Sequence, residues 1–333
     1  MMKSRYSSRW IITCVVSVTV LAITSQAAPK APRIGFVAQP RMIVIKADNQ
    51  PLATYVYNDP EILRPYFKDI HAPGGIQISR FHPPREGVDP TDHAHLHPGL
   101  WLAFGDLSGA DFWRNRAQVK HVEFVVAPHA TGHRGSFTVR NRYLGDGKIL
   151  CEETCEYTFL VRSTGILILW HSTFRSDQNN FWFGDQEEMG LGVRVATPIM
   201  VNSKQGGRII DDQGRKDEKG IWGKQAQWCD YSGWINGSFV GITIMPDPGN
   251  FRPCWWHTRN YGFMAANPFG RAAFGAGPAS KVRVNRGEPF RLSYGILLHA
   301  NKNEEALDLP IAYQDYLTVL QQTQEETKQG GQR

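Results

Sequence analysis

The chain has 333 residues, with 37 Lys and Arg against 31 Asp and Glu and a formal charge of +6 at neutral pH. A hydrophobic share of 41% and a charged share of 20% are typical of a globular protein and exclude a disordered chain. Three of the positive charges lie within residues 1–27, so the rest of the chain carries +6 − 3 = +3. That small excess gives no reason to expect a nucleic-acid partner.

The predicted elements begin with a secretory signal in residues 1–27. Basic residues precede an apolar stretch at residues 11–23, and Ser25-Gln26-Ala27 forms a small-x-small cleavage site. The stretch is shorter than the roughly 20 residues of a membrane span, and no later segment approaches that length. We therefore predict export to the periplasm or the medium, with no membrane span after cleavage.

Strands dominate the rest of the chain. Runs rich in β-branched and aromatic residues, separated by Gly, Asn, Asp and Pro clusters, predict them. Residues 203–220 predict an exposed hairpin or loop, residues 309–322 the only helix, and residues 323–333 a polar tail. About a dozen strands with one C-terminal helix favour a single all-β domain over residues 28–322, a large antiparallel β-sandwich. The main predicted strands are residues 41–47, 52–57, 118–127, 135–143, 151–161, 165–174, 190–196, 239–245, 281–285 and 290–298.

Four cysteines follow the predicted signal: Cys151, Cys155, Cys229 and Cys254. An even number in an exported protein permits disulfides. The local pair Cys151–Cys155 is disfavoured, because residues i and i+4 of a strand lie about 13 Å apart and a disulfide needs about 7 Å or less. The other pairings and four free buried thiols stay open.

Residues 92–101 form the most informative segment, Asp-His-Ala-His-Leu-His-Pro-Gly-Leu-Trp. If the segment is extended, His93, His95, His97 and Trp101 share one face, and leucines on the other face point to the core. Three imidazoles on a face away from the core indicate a metal site, a catalytic or substrate-binding site, or a hydrogen-bonded structural cluster.

A metal is one of these alternatives. Neighbouring histidines on one strand face lie about 6.6 Å apart, so His93 and His95 can chelate one divalent ion. A third ligand would come from another segment, such as Glu187, Glu188 or His257.

A second candidate segment follows Phe183. In a strand from Glu188 onward, Glu188, Gly190, Gly192 and Arg194 share one face. The two glycines leave that face bare between an acid and a base, which predicts a floor for a flat ligand such as a sugar ring. The alternative is a glycine bulge with two solvated charges.

A third candidate segment is residues 254–262, in which Trp255, His257, Arg259 and Tyr261 alternate onto one face. An aromatic side chain beside His, Arg and Tyr suits carbohydrate, because Arg holds a carboxylate in a fork and Tyr or His moves protons. The alternative is that the aromatic rings pack in the core and Arg259 pairs with an interior carboxylate.

Together these segments resemble a family of secreted bacterial proteins labelled PmoA-like, or "methane oxygenase PmoA". The resemblance implies a β-supersandwich similar to galactose mutarotase, whose relatives bind sugars across a concave sheet and include epimerases and polysaccharide lyases. The label is not taken as an activity, since a methane monooxygenase subunit is an integral membrane protein. The resemblance covers about residues 51–299 and rests on residues 92–101, 105–113, 183–196, 222–228 and 256–262.

We therefore expect a carbohydrate-active protein whose partner is a glycan or small sugar, a lyase or epimerase-like enzyme on an acidic or modified sugar. The alternatives are a non-catalytic glycan-binding protein and a metal-dependent oxygenase or hydrolase that uses His93 and His95. No cofactor is assured, and a divalent metal stays open.

The roles follow from side-chain chemistry. His97 or His257 is the expected general base, and Tyr261 donates a proton to the leaving oxygen. Arg259 holds a carboxylate, while Glu188 binds hydroxyls or orients a histidine. The expected substrate contacts are Trp101, Arg194, Trp228, Asp230 and Trp255.

Overall fold

The computed structural model describes residues 1–2 and 31–330. The chain divides into two compact units, Met1–Lys30 and Ala31–Arg333. Apart from its first two residues, the predicted signal lies outside the described residues. In the part that the structure describes, no helix is both long and apolar enough to cross a membrane.

Strands are the main regular structure of the described chain, because β-branched and aromatic residues recur along it. Short helical turns of the 3₁₀ type occupy Thr197–Ile199, Val201–Ser203 and Glu304–Ala306. The strands and helices in chain order are β1 (Ile34–Gln39), β2 (Met42–Ala47), β3 (Gln50–Val56), β4 (Tyr66–Lys68), β5 (His71–Ala72), β6 (Ile76–Gln77), β7 (Leu100–Phe104), β8 (Gln118–Thr131), β9 (Arg134–Gly145), β10 (Lys148–Arg162), β11 (Gly165–Arg175), β12 (Phe181–Phe183), β13 (Met189–Arg194), β14 (Arg208–Asp211), α1 (Asp217–Ile221), β15 (Cys229–Ile235), β16 (Ser238–Pro246), β17 (Trp255–Arg259), β18 (Phe263–Asn267), β19 (Val282–Val284), β20 (Phe290–Asn301) and α2 (Leu309–Gly330).

Two eight-stranded antiparallel sheets form the sandwich. The first has the order β1-β2-β3-β4-β7-β13-β18-β17, and the second has the order β14-β15-β16-β20-β11-β10-β9-β8. Strands β12 and β19 form a separate pair, as do β5 and β6. The predicted large antiparallel β-sandwich with a C-terminal helix is confirmed.

The core lies between the two sheets and is rich in aromatic rings. Tyr55 of β3 packs on Tyr157 of β10 with ring centroids 5.2 Å apart, and Phe67 of β4 packs on Trp170 of β11 at 5.7 Å. Buried aromatic pairs of this kind contribute packing and orientation together. Because one face of each sheet is used in this way, the opposite face of each is left for other elements.

Helix α2 covers the outer face of the second sheet. Its Tyr316 is fully buried against leucines of β11 and β20. Gly295 of β20 permits the close approach, since a Cβ there would lie 2.6 Å from the Tyr316 ring. Within the described residues, no long helix covers the outer face of the first sheet, and this face carries the candidate site.

Two local expectations meet a different structure, and the four cysteines take one of the alternatives that were left open. Helix α2 runs to Gly330, which is 330 − 322 = 8 residues past its predicted end, because Gln, Glu and Lys extend helices well. The predicted loop at residues 203–220 contains β14 and most of α1. The cysteines Cys151, Cys155, Cys229 and Cys254 are all free and buried.

Candidate functional site

A small cavity lies on the outer face of the first sheet. Along β18, Met264 and Ala266 belong to the core, while Phe263 and Ala265 point the other way. The cavity opens above these outer residues and measures about 140 Å³. It is lined by His93, Leu96, His97, Trp113, Arg114, Glu188, His257, Tyr261 and Phe263.

The segment that carries the histidines is a turn. The amides of Leu96 and His97 both donate to the carbonyl of His93, at 3.0 and 2.8 Å, and β7 begins only at Leu100. His93 itself has a left-handed φ of +52°. The prediction that residues 92–101 are extended is therefore wrong for the histidines, and they do not share a strand face with Trp101.

Buried arginines explain why the turn replaces a strand. Arg80 donates to the carbonyls of Asp92 and His97 at 2.7 and 3.1 Å, and Arg64 donates to the carbonyl of the residue before His97. Arg194 holds the Asp92 carboxylate through two bonds of 2.9 and 2.8 Å. Backbone carbonyls that a strand would pair with a neighbouring strand are thus paired with guanidinium groups.

His97 lies inside a stack of rings. Its ring centroid is 4.8 Å from that of His93, 4.7 Å from Phe263 and 5.0 Å from Trp101. Burial, aided by the charge of Arg194, lowers the pKa of His97 well below its usual value, so the ring is neutral. Its Nδ1 is sealed without a hydrogen-bond partner among the described residues, whereas Nε2 is not sealed.

Glu187 joins the third candidate segment to the loop before β13. Its Oε1 lies 2.9 Å from Nε2 of His257, accepts a 2.9 Å bond from Nε1 of Trp222, and pairs with Arg259. The hydrogen bond from His257 is the main reason that the pKa of Glu187 falls to about 2. This carboxylate therefore organises three side chains from two parts of the sequence, Trp222 and strand β17.

The contacts of Glu187 change two expected roles. Nδ1 of His257 lies 3.2 Å from the Glu187 carbonyl, so both ring nitrogens face Glu187 and neither is directed at the cavity. Arg259 is divided between Glu187 and Glu218, the latter at 3.5 Å. His257 as general base and Arg259 as holder of a substrate carboxylate do not fit these contacts.

Glu188 lines the cavity as part of an ion pair. Arg114 donates to Glu188 and to Asp111, the latter at 3.2 Å. Trp113 and Arg114 were not among the expected site residues, although Trp113 is the last residue of the motif at residues 105–113 and Arg114 follows it directly. Glu187 was expected only as a possible metal ligand, and Glu188 was preferred as the catalytic carboxylate because alternation was counted from Glu188, but β13 begins only at Met189.

The predicted glycine floor is filled by protein. A Cβ at Gly192 would lie 2.9 Å from the Trp101 ring and 3.0 Å from the Trp113 ring, so these rings occupy the bare face. Trp101 and Arg194 are both 0% exposed. Neither residue is accessible as the expected substrate contact, because Gly192 admits neighbouring indoles instead of a ligand, and a Cβ at Gly190 would meet the Ala266 carbonyl.

The other expected substrate contacts lie elsewhere. Trp228 packs with helix α2 on the outer face of the second sheet. Asp230, on the same sheet, is fully buried and bonds to His299, 2.9 Å away. Trp255 lies two residues from His257 but outside the cavity lining, with the Arg252 guanidinium 5.7 Å from its ring.

The proposed metal ligands have other neighbours. Nδ1 of His93 lies 2.8 Å from Asp92, and Nδ1 of His95 lies 3.7 Å from Glu61. Within residues 1–2 and 31–330, no group of three or more His, Cys, Asp or Glu is arranged to hold a metal ion. A metal on His93 and His95 stays a prediction.

Several solved structures are similar to this chain at low sequence identity. The galactosidase domain of an alpha-galactosidase-sucrose kinase is 11% identical to this chain, with a TM-score of 0.40. The match covers 80% of this chain but only 42% of the length of that protein. A galactose mutarotase-like protein from Lactobacillus casei is 11% identical with a TM-score of 0.31, over 80% of this chain and 100% of that one. An aldose epimerase homologue from C. elegans is 10% identical with a TM-score of 0.33, over 80% and 99%.

The comparison with curated proteins gives no match. A family profile described as a family of unknown function, DUF6807, matches residues 42–308, and this range contains both sheets except β1. The PmoA label suggested by the motifs does not occur in that description and stays a prediction. The chain belongs to the DUF6807 family.

Proposed function

We propose that the protein is a carbohydrate-active enzyme of the epimerase type, which moves protons on one uncharged sugar ring bound in the cavity. The observation that supports this proposal is the convergence of His97, Tyr261 and Glu188 on a single small cavity. An imidazole, a phenol and a carboxylate are the groups that general acid–base catalysis uses.

The protonation states suit that chemistry. His97 is neutral and keeps a lone pair to accept a proton. Burial raises the pKa of Tyr261, so its phenol stays protonated and can donate. The same burial makes His97 a weaker base and Tyr261 a weaker acid. The rate gain must therefore come from the position of the two side chains against the substrate.

The proposed reaction is reversible ring opening at the anomeric carbon. His97 takes the proton of the anomeric hydroxyl, the electron pair forms the carbonyl, and the ring C–O bond breaks. The ring oxygen takes the proton of Tyr261. Closure on the other face of the carbonyl reverses both transfers. The imidazolium formed on His97 shares the cavity with the carboxylate of Glu188, and the Arg194 guanidinium lies 4.6 Å from the Tyr261 ring, where it stabilises the phenolate.

Cavity size and charge support a single uncharged ring. The volume of about 140 Å³ is less than half of the roughly 300 Å³ at which ordinary ligand sites begin. Arg114 and Arg259 are already paired with carboxylates of the chain. A lyase acting on an acidic sugar needs a free cation to hold the substrate carboxylate. Because these two arginines are paired, the epimerase hypothesis is preferred over the lyase hypothesis.

Anomer exchange measured by NMR on a panel of aldoses tests the proposal. We expect the protein to accelerate exchange of at least one aldose, and Tyr261→Phe and His97→Gln each to reduce the acceleration by about 10²–10⁴-fold. Lys302→Ala is the control, because Lys302 is an exposed residue directly after β20. Unchanged acceleration in both variants contradicts the roles. Aldose binding without exchange in the parent protein indicates a sugar-binding protein instead.

We further propose that residues 1–27 direct export and are removed, which leaves Ala28 as the first residue of a periplasmic or secreted protein. Mass spectrometry of the protein from a fractionated native host tests this. An intact Met1 in a cytoplasmic fraction contradicts it.

A further inference from the structure

A second, larger hollow lies where the loop after β7 meets the turn between β9 and β10. It measures about 680 Å³, which is within the range of ordinary ligand sites. Its lining combines aliphatic residues such as Leu150 with the polar side chains of Asp111, Arg116, Gln118 and Asp146. A small-molecule site combines apolar surface with a few polar groups, and both are present in this hollow.

The hollow has open space along its rim and a packed floor. A Cβ placed on Gly109 or Gly147 would meet no atom within 4 Å, so there is open space beside both glycines. A Cβ on Gly145 would lie 2.9 Å from Leu150 and 3.1 Å from Ala110, so the floor beneath is solid. A ligand in the hollow would therefore rest on a packed apolar surface, with open space beside these two glycines.

Its polar side chains are available to a ligand. Arg116, Gln118 and Asp146 are exposed, and within the described part of the chain their side chains form no hydrogen bond or ion pair. This differs from Arg114 and Arg259 near the cavity, both of which are paired. Asp111 is already paired with Arg114, and the remaining cation, anion and amide together carry no net charge, which suits hydroxyl groups better than a charged ligand.

One ion pair links the lining of the hollow to the lining of the cavity. Asp111 lines the hollow, Arg114 lines the cavity, and their side chains are 3.2 Å apart. A ligand that occupies the cavity and extends past this pair enters the hollow.

We infer that the hollow is a second sugar subsite, which holds the following rings of an uncharged oligosaccharide whose reducing end lies in the cavity. This inference rests on the proposed function and adds the substrate class: oligosaccharides with a free reducing end, in preference to monosaccharides. The cavity performs the proton transfers, and the hollow supplies binding energy away from the reacting carbon.

Calorimetric titration tests the subsite. The probes are glucose, galactose and mannose together with their linear tetrasaccharides. The test protein carries Arg116→Ala, Gln118→Ala and Asp146→Ala, all exposed positions outside the cavity. Lys302→Ala removes one exposed positive charge far along the chain and is the control. We expect at least one tetrasaccharide to bind about tenfold or more tighter than its monosaccharide, and the triple variant to lose that gain while keeping the affinity for the monosaccharide.

Each outcome is decisive. If tetrasaccharides bind no tighter than monosaccharides, or if the gain survives in the triple variant, the subsite is refuted and the proposed function stands. If the triple variant weakens monosaccharide and tetrasaccharide equally, the hollow is not a separate subsite. If no sugar of either length binds, the proposed function and the subsite fail together.

Discussion

Removal of the Asp92 carboxylate should destabilise the protein strongly, because it leaves a buried cation without its counter-charge. Arg194 is 0% exposed, and its two terminal nitrogens donate to Asp92 at 2.9 and 2.8 Å. Its Nε is buried without a partner among the described residues. Asp92 therefore supplies the ionic partner of this guanidinium, and Asp92→Ala is the perturbation that tests it.

The expected loss of stability follows from the burial of Arg194. Breaking a buried ion pair by removing one partner costs about 3–5 kcal/mol. The Asp92 side chain is 40% exposed, so water enters the space left by the carboxylate and reaches the guanidinium. We therefore expect about 2–3 kcal/mol for Asp92→Ala, below the full range. Asp92→Asn, which keeps the shape and one acceptor, should cost about 1–2 kcal/mol.

Urea unfolding at pH 7 measures these values, with an unchanged m-value as the condition for comparing them. Asp177→Ala is the matched control, because Asp177 pairs with Arg175 at 2.8 Å but both side chains are exposed, so its loss should cost less than about 1 kcal/mol. The double change Asp92→Ala/Arg194→Met removes both charges and should recover most of the loss. Equal costs for Asp92→Ala and Asp177→Ala would refute the reasoning.

The effect should also depend on pH. Burial raises the pKa of Asp92, but hydrogen bonds from Arg194 and His93 outweigh it and hold the pKa at about 2. Because this folded-state pKa lies below the ordinary value of 3.8, the stabilisation is complete above about pH 4 and is lost as the pH falls towards 2. The stability difference between the parent protein and Asp92→Asn should therefore shrink over that interval and stay constant above pH 5.

Three further changes test other parts of the structure. Gly192→Ala places a Cβ about 2.9 Å from the Trp101 ring and should cost about 1–3 kcal/mol in urea unfolding, whereas Gly35→Ala, with no atom within 4 Å, should cost little. Burial raises the pKa of Glu153, so the folded state favours the protonated carboxyl, and stability falls as the pH rises above the ordinary pKa of 4.5. Glu153→Gln should therefore raise the melting temperature at pH 8 relative to the parent protein. It should lose that advantage at pH 4. The Tyr316 hydroxyl is buried without a partner among the described residues, so Tyr316→Phe should be neutral or stabilising in thermal unfolding, while Tyr316→Ala should cost about 3–5 kcal/mol.

Strand positions were predictable where alternation or apolar runs were long. The runs at residues 118–127 and 151–161 fall inside β8 and β10, and each of these strands has a long paired neighbour in β9. Short strands such as β4 and β12 were missed, because three residues carry too little pattern to distinguish them from loops. Periodicity is a property of repeated residues, and it fails where an element has no room for a repeat.

The candidate site was predictable in composition more than in geometry. His257 and Arg259 do share a face, because β17 is a true strand. The histidine turn was misjudged because its conformation depends on Arg64, Arg80 and Arg194, which contact it from other segments. Contacts between distant segments leave no periodic trace in a single sequence, so the role of these arginines could not be inferred from their spacing.

The pairing of the arginines also limits what the cavity can bind. For a sugar carboxylate to be held there, Arg114 would have to leave Asp111 or Glu188. Glu188 would then face the incoming anion without its cation, and like charges at close range repel strongly where water is scarce. An uncharged hydroxyl can bind at Nε2 of His97 or the phenol of Tyr261 without disturbing any ion pair. Under the proposed function, this arrangement of charges therefore favours a neutral sugar over an acidic one.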